Sequence, residues 1–336
     1  MVIRIWPKQK NATPITVQAL RELNAAGGGE LRFEKGEYHF YKEGTHKEFM
    51  AVSNNSACDK YMVFPVLNME NIVIDGGGSV FVFYDVVFPF MVSGSKNIII
   101  RNMTLDTGVS PLVEYRIHGL TDEGFYMDID RDVNPFFVDN GSLYFRRECQ
   151  IVSGKQEFFS LHALGRHQVQ YFATGDCEAD MTNLPAPLMW CDVSETENGI
   201  YACYRSGTPS VCGYEESAVT SIIDGKRDVD VICLDHSENI EISNITVGRG
   251  IGMGIVGQLS RNIRIDGFST DIGFHPGSHQ TLTADSLHFI NCDGTLEITN
   301  CTISDTMDDV LNVHGIYTSV TAVDENTLCS AIMHQE

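Results

Sequence analysis

Asp308 and Asp309 stand side by side in the segment CTISDTMDDVLNVHG, at the mouth of a short apolar strand, and Asp285 precedes Asp309 by 24 residues in ADSLHFIN. If strands with that spacing stack as successive layers, Leu287 meets Leu311 and Phe289 meets Val313. The period-2 alternation of a strand then turns His288 and Asn312 to the opposite, outward face. The same stacking sets Asp285 over Asp309, with Asp308 one residue earlier, and layers are about 4.8 Å apart. Ionised carboxylates this close repel one another, so one of them is expected to hold a proton unless a cation lies between them. A carboxylic acid beside a carboxylate base is the arrangement by which glycosidases cleave a sugar bond. Asp308, Asp285 and Asp309 are therefore the candidate catalytic residues, and His288, Asn312 and His314 the candidate substrate-binding residues. Lone aspartates such as Asp75 and Asp266 read instead as caps of turns.

Other chemistries have weaker support in these residues. There is no Gly-x-Ser-x-Gly for a serine nucleophile and no His-Glu-x-x-His for zinc, and the one tight histidine pair, His275 and His279 in GFHPGSHQ, reads as a loop. Gly252, Gly254 and Gly257 match a dinucleotide fingerprint, but QLSRNIRI after them is a strand, so alternate glycines here strip one strand face of side chains. Calcium is the serious rival, because clustered aspartate oxygens suit it. A calcium-dependent lyase acting on uronates would also need Lys or Arg to hold the substrate carboxylate, and the chain has neither after Arg264.

The elements that must position these acids announce themselves as a repeated phrase: NIVIDG at 71, NIIIRNMT at 97, NIEISNIT at 239, NIRIDGFS at 262 and TLEITNCT at 295. Each is an alternating strand followed by a turn. Where no long segment intervenes the phrases recur after 26, 23 and 33 residues, the length of one coil of a solenoid. Strands rich in β-branched residues with Asn, Gly and Ser at the corners predict a right-handed parallel β-helix; a β-sandwich would not repeat one corner chemistry at this period. Residues 13–24 form an amphipathic helix that breaks at Gly27, Gly28 and Gly29 and caps the first coil. The expected organisation is a cap and first coils over 1–109, an inserted antiparallel β domain over 110–231 with a hairpin turn at Asn140-Gly141, and further coils with the active site over 232–336. The insertion could wall the groove, bind substrate or dimerise. The last residues show no cap, which reads as a shortened chain.

Bulk properties narrow the partners. A formal charge of −22 in 336 residues would repel a nucleic-acid backbone, no apolar run reaches the length of a membrane span, and MVIRIWPKQKNATPI lacks the apolar core of a signal peptide. An acidic groove suits a neutral sugar better than an acidic one. The ten cysteines contain no Cys-x-x-Cys and several lie in apolar runs, so most read as small buried hydrophobes, with disulfides left open.

The corner phrases, the long insertion, and ADSLHFINCDG and DTMDDVLNVHG together resemble glycoside hydrolase family 110, bacterial exo-acting α-1,3-galactosidases that remove the terminal galactose of blood group B and related glycans. The resemblance runs over essentially the whole chain, and members of that family continue beyond its C-terminus. It implies a metal-free inverting hydrolase, secreted or periplasmic, with Asp308 as general acid and Asp285 and Asp309 together activating water. Polygalacturonases share the fold and a paired Asp-Asp, but their Gly-His-Gly and Arg-x-Lys elements are missing here.

Overall fold

The computed structural model describes the chain except residues 109, 111, 120, 133, 147–148, 153–154, 159–160, 164–168, 173–190, 206–217, 223–228, 276–277, 279, 317 and 333–336. Its framework is two long, mostly parallel sheets between which the chain alternates. One runs, in order, Val2–Ile5, Gly29–Phe33, Glu70–Phe83, Lys96–Thr107, Glu238–Val247, Arg261–Thr270 and Asp293–Thr299, with Glu37–Phe40 beside Glu70–Phe83. The other runs His46–Met50, Cys58–Leu67, Phe88–Ser93, Ile232–Asp235, Ile255–Gln258, Leu287–Ile290 and Leu311–His314. Only the pair His46–Met50 and Cys58–Leu67 in that sheet is antiparallel. Among the described residues the chain is thus all-β in class, apart from one α-helix.

The corner chemistry explains the registration. Asn71, Asn97, Asn239 and Asn262 all adopt left-handed backbone, with φ between 54 and 57°, a region asparagine tolerates better than other side chains. Each amide donates to the one before it: Asn97 Nδ2 to Asn71 Oδ1 at 2.9 Å, Asn239 to Asn97 at 3.1 Å and Asn262 to Asn239 at 3.0 Å. In the following layer Gly294 takes the left-handed position. A second ladder satisfies backbone donors at the other corner, where the hydroxyls of Ser95, Ser237 and Ser260 accept from Met69, Ser95 and Ser237 N–H groups. Cys292 continues this row by accepting from the Ser260 backbone, and burial pushes its thiol up.

Between the sheets lies one core, built as stacks rather than as a scattered cluster. Phe64 lies on Phe90 with ring centroids 4.2 Å apart, and Ile232, Ile255 and Leu287 extend that row. Gly257 makes room for Phe289: a Cβ there would stand 2.6 Å from the Phe289 ring. Of the three glycines in that stretch, only Gly257 lies in a strand. Gly252 and Gly254 sit in the preceding turn, where a Cβ would collide with the Val229 and Ser286 carbonyls, so close approach of layers, not a stripped strand face, explains them. Helix Thr13–Ala25 closes the first layer with Val17, Leu20 and Leu23 inward, and ends in left-handed Gly27.

Strands between 112 and 222 pair antiparallel. Six form one sheet, in which Leu112–His118 lies between Ala218–Ile222 and Gly124–Ile129, with a separate core around Val113, Ile117, Phe125 and Met127. Asn140 and Gly141, both left-handed, close the hairpin joining Phe136–Asp139 to Ser142–Arg146. The cysteines are less buried than expected: among the described side chains only Cys191 and Cys233 are fully buried, and all seven are free thiols. No described helix is long and apolar enough to cross a membrane.

Candidate active site

The outer face of the second sheet carries the candidate residues. Leu287–Ile290 pairs in parallel with Leu311–His314, matching Leu287 to Leu311, His288 to Asn312 and Phe289 to Val313, the register expected from the 24-residue spacing. Leu287 and Phe289 point into the core, which sends His288 outward. At the entering corners the Ser286 N–H donates to the Asp309 carbonyl at 2.9 Å, setting Asp285 beside Asp309 on adjacent layers. One level further the Gly254 N–H donates to the Asp285 carbonyl, and below that the Val231 N–H donates to Met253. The column therefore reads Asp230, Met253, Asp285, Asp309.

Three carboxylates converge at its end. One oxygen from each of Asp285, Asp308 and Asp309 lies within 4.8 Å of the other two. Asp285 is buried, whereas Asp308 and Asp309 are exposed. Asp308 Oδ1 accepts from the Asp309 N–H at 3.1 Å, and Thr306 Oγ1 donates to the Asp308 carbonyl, so the turn fixes its own acids. Two oxygens at such a separation can be bridged by one water, given hydrogen bonds of about 2.8 Å. The same three side chains could also meet a cation.

Asp285 is held by two side chains from its own and the adjoining strand region. His288 Nδ1 lies 2.6 Å from Asp285 Oδ2, and Asn312 Nδ2 donates to the same oxygen at 3.4 Å. His288 Nε2 is 3.3 Å from His314 Nε2, whose other nitrogen donates to the Gly315 carbonyl. His288 is only 1% exposed, so it faces its neighbours, while Asn312 and His314 are half-buried at the surface.

Two contributors were not found from sequence. The loop 51–57 lies across the sheet's outer face, held by Gln258, which accepts from the Ser53 N–H at 2.8 Å and donates to the Ala51 carbonyl. From this loop the Asn54 amide comes within 3.4 Å of His288 Nε2. Asn55 donates to Asp230 Oδ2 at 3.0 Å, and Met253 N–H to Asp230 Oδ1 at 2.9 Å. Burial pushes the Asp230 carboxyl up to about 7, against the opposing pull of those two donors. The one sequence signal was SNNS, a run of turn-forming residues that carries no periodicity and so no address.

His275 is drawn elsewhere: its Nε2 reaches both oxygens of Asp106, at 2.8 and 2.9 Å, and His279 lies outside the described residues. Of the lone aspartates, Asp266 caps a corner, its carboxyl held below the usual range by the Asn300 amide and the Thr299 hydroxyl. Asp75 likewise accepts from Gly77 N–H, Asn102 and Arg101.

No protein-family profile matches the chain. Curated relatives do. It is 26% identical over 335 residues to alpha-1,3-galactosidase A of Shewanella woodyi, covering 97% of this chain and 52% of that protein. It is 26% identical over 344 residues to alpha-1,3-galactosidase B of Bacteroides fragilis, covering 98% and 54%. To alpha-1,3-galactosidase B of Akkermansia muciniphila it is 24% identical over 333 residues, covering 98% and 40%. The chain spans about half the length of the curated relatives it matches.

Proposed function

We propose that the chain is an exo-acting glycoside hydrolase that removes terminal α-1,3-linked galactose, as in blood group B or linear α-1,3-galactose structures, and that its two parallel sheets are walls of a right-handed β-helix. The observation that carries this reading is the convergence of Asp285, Asp308 and Asp309 oxygens within 4.8 Å at the end of one column. The names of the curated relatives supply the sugar and the linkage. The absence of Lys and Arg after Arg264 favours a neutral glycan.

In this reading Asp309 and Asp285 hold the attacking water between them and Asp308 protonates the leaving oxygen, so the product inverts at the anomeric carbon. In the same reading Asn312 and His314, half-buried beside them, bind sugar hydroxyls. The spacing of the acids gives one competing reading, a divalent cation site. Three side chains are a sparse shell for calcium, and Asp285 Oδ2 is already engaged by His288 and Asn312.

The test is release of galactose from an α-1,3-galactosyl disaccharide, followed with and without EDTA. The hydrolase reading expects turnover that EDTA does not change and no unsaturated sugar. Binding without turnover would instead mark a glycan-binding module. Asp308→Asn should lower turnover of the disaccharide by about 10²- to 10⁴-fold and cost an aryl α-galactoside far less, because an aryl leaving group needs little protonation.

A further inference from the structure

The outward side chains of the second sheet change character along the stack. Strand pairing lines up Met91, Cys233, Val256, His288 and Asn312 in one outward row. Met91, Cys233 and Val256 are fully buried although they point away from the main core, because they share a second apolar cluster with Val52 and Met253. On the strand that follows Asp285 the row turns polar at His288, and one layer on Asn312 reaches the surface, half-buried. The outer face of this sheet is therefore sealed as far as the layer of the acids and opens there.

The seal is loop 51–57, and the loop is pinned along its length. Gln258 holds the Ala51 and Ser53 backbone and is itself fixed by donating to Asp235 Oδ1 at 2.8 Å. Asn55 is buried against Asp230, and Lys60 Nζ, on a side chain whose residue is 2% exposed, donates to the Ser56 carbonyl at 2.9 Å. Between these anchors the chain turns at Asn54, left-handed at φ 59°, with its side chain exposed at the rim of the seal. Only the His288 ring separates the Asn54 amide from the Asp285 carboxylate.

We infer that loop 51–57 is the specificity-determining wall of the site. It closes the groove one sugar away from the acids, so that a terminal sugar fits between Asn54 and the bond to be cleaved and the rest of the glycan leaves over Asn312 and His314. The inference rests on the hydrolase reading and adds to it the element that confines cleavage to chain ends. A glycan continuing past Asp285 along the sheet would have to run over Val256 and Cys233, which the loop buries. Displacing the loop would uncover Val52 and unpair Asn55 from Asp230, and both changes are costly. The Asn54 amide carries two donors and an acceptor, a set that suits the hydroxyls of a neutral sugar.

Two glycans distinguish a wall from an open groove: the α-1,3-galactosyl disaccharide, and a trisaccharide in which the same galactose carries a further sugar on its non-reducing side. The unaltered chain should cleave the α-1,3 bond of the disaccharide at least about 10²-fold faster than that of the trisaccharide, compared as kcat/KM. Replacing residues 53–56 by two glycines should narrow that ratio by about tenfold or more, with thermal unfolding recorded alongside to show that the variant folds. A second measurement leaves the loop intact. In the Asp308→Asn chain with nitrogen-15-labelled asparagine, saturating disaccharide should shift the side-chain amide signals of Asn54 and Asn312 and leave that of Asn97, in the corner ladder, in place. The Asn54 signal is assigned by its loss in Asn54→Gly, a change the left-handed backbone accepts. Equal cleavage of the two glycans by the unaltered chain, or an Asn54 signal that stays in place while that of Asn312 moves, overturns the wall and leaves the hydrolase reading standing. No cleavage of either glycan overturns both.

Discussion

Asp230 and Asp285 occupy equivalent corners two layers apart, the Val231 N–H donating to Met253 as the Ser286 N–H donates to Asp309, in opposite surroundings. Asp230 is 1% exposed, accepts from Asn55 and from the Met253 backbone, and has apolar Met253 as its neighbour in the next layer. Burial dominates there and favours the protonated form. Asp285 is nearly as buried, yet it has an imidazole at 2.6 Å and an acid, Asp309, in the next layer. One corner aspartate is a filler of the fold and the other a candidate base. The residue one layer on and the ring beside it make the difference, since the corner itself is the same.

The largest effect that could break this comparison is on turnover. Asp285→Asn and Asp309→Asn should each lower activity by about 10²- to 10⁴-fold on disaccharide and aryl substrates alike. Added azide should partly restore both, because it needs no base. Asp230→Asn should stay within a few-fold of the unaltered chain in the same assay. Equal losses at Asp230 and Asp285 would mean that the column matters only for folding.

A smaller effect separates the two acids by stability. Folding raises the Asp230 carboxyl from 3.8 to about 7, so between those values the folded chain binds more protons than the unfolded one. Stability attributable to this group is therefore fully present below the unfolded value and declines as pH rises through the window, by up to about 1.4 kcal/mol per unit. Asp230→Asn keeps the shape, and Asn55 can turn its amide to meet it. The variant should melt higher than the unaltered chain near pH 7.5, show a flatter profile between pH 4 and 7, and lose its advantage at pH 4, as followed by thermal unfolding.

The smallest expected change is at Asn54. Its amide reaches His288 only at 3.4 Å, so Asn54→Ala should lower kcat by no more than about tenfold, the worth of one ordinary hydrogen bond. A larger loss would make the loop part of the catalytic machinery.

The framework was legible because its chemistry is periodic. Asn71, Asn97, Asn239 and Asn262 recur with the strands they end, and the 24-residue displacement of Leu287 and Phe289 onto Leu311 and Val313 follows from matching like to like. Loop 51–57 was not legible: Asn54 meets His288 across 234 residues, and nothing in AVSNNSACD repeats. Asp230 escaped for a related reason, because its column partner is Met253 and a lone acid before VICLD reads as a turn residue. Outward alternation correctly separated His288 from Leu287 but could not tell that loop 51–57 and the neighbouring side chains bury that ring. The inward side chains of the last parallel strand show how much burial depends on neighbours: Leu311 and Val313 are 47% and 57% exposed, while Leu287 and Phe289, one layer below, are buried.

The spacing of the acids also makes one measurement decisive. Inverting hydrolases hold acid and base about 6.5–9.5 Å apart and retaining ones about 5–5.5 Å apart. Oxygens within 4.8 Å suit a water shared by Asp285 and Asp309, but one oxygen of Asp308 lies just as close to both, nearer the retaining spacing, which would suit a nucleophile. Proton NMR of the first galactose released from an α-linked substrate, recorded before mutarotation, tells these apart. The account predicts β-galactose. If α-galactose appears first, one of the three aspartates forms a covalent intermediate, and the assignment of Asp308 as acid with Asp285 and Asp309 as water-activating bases is wrong.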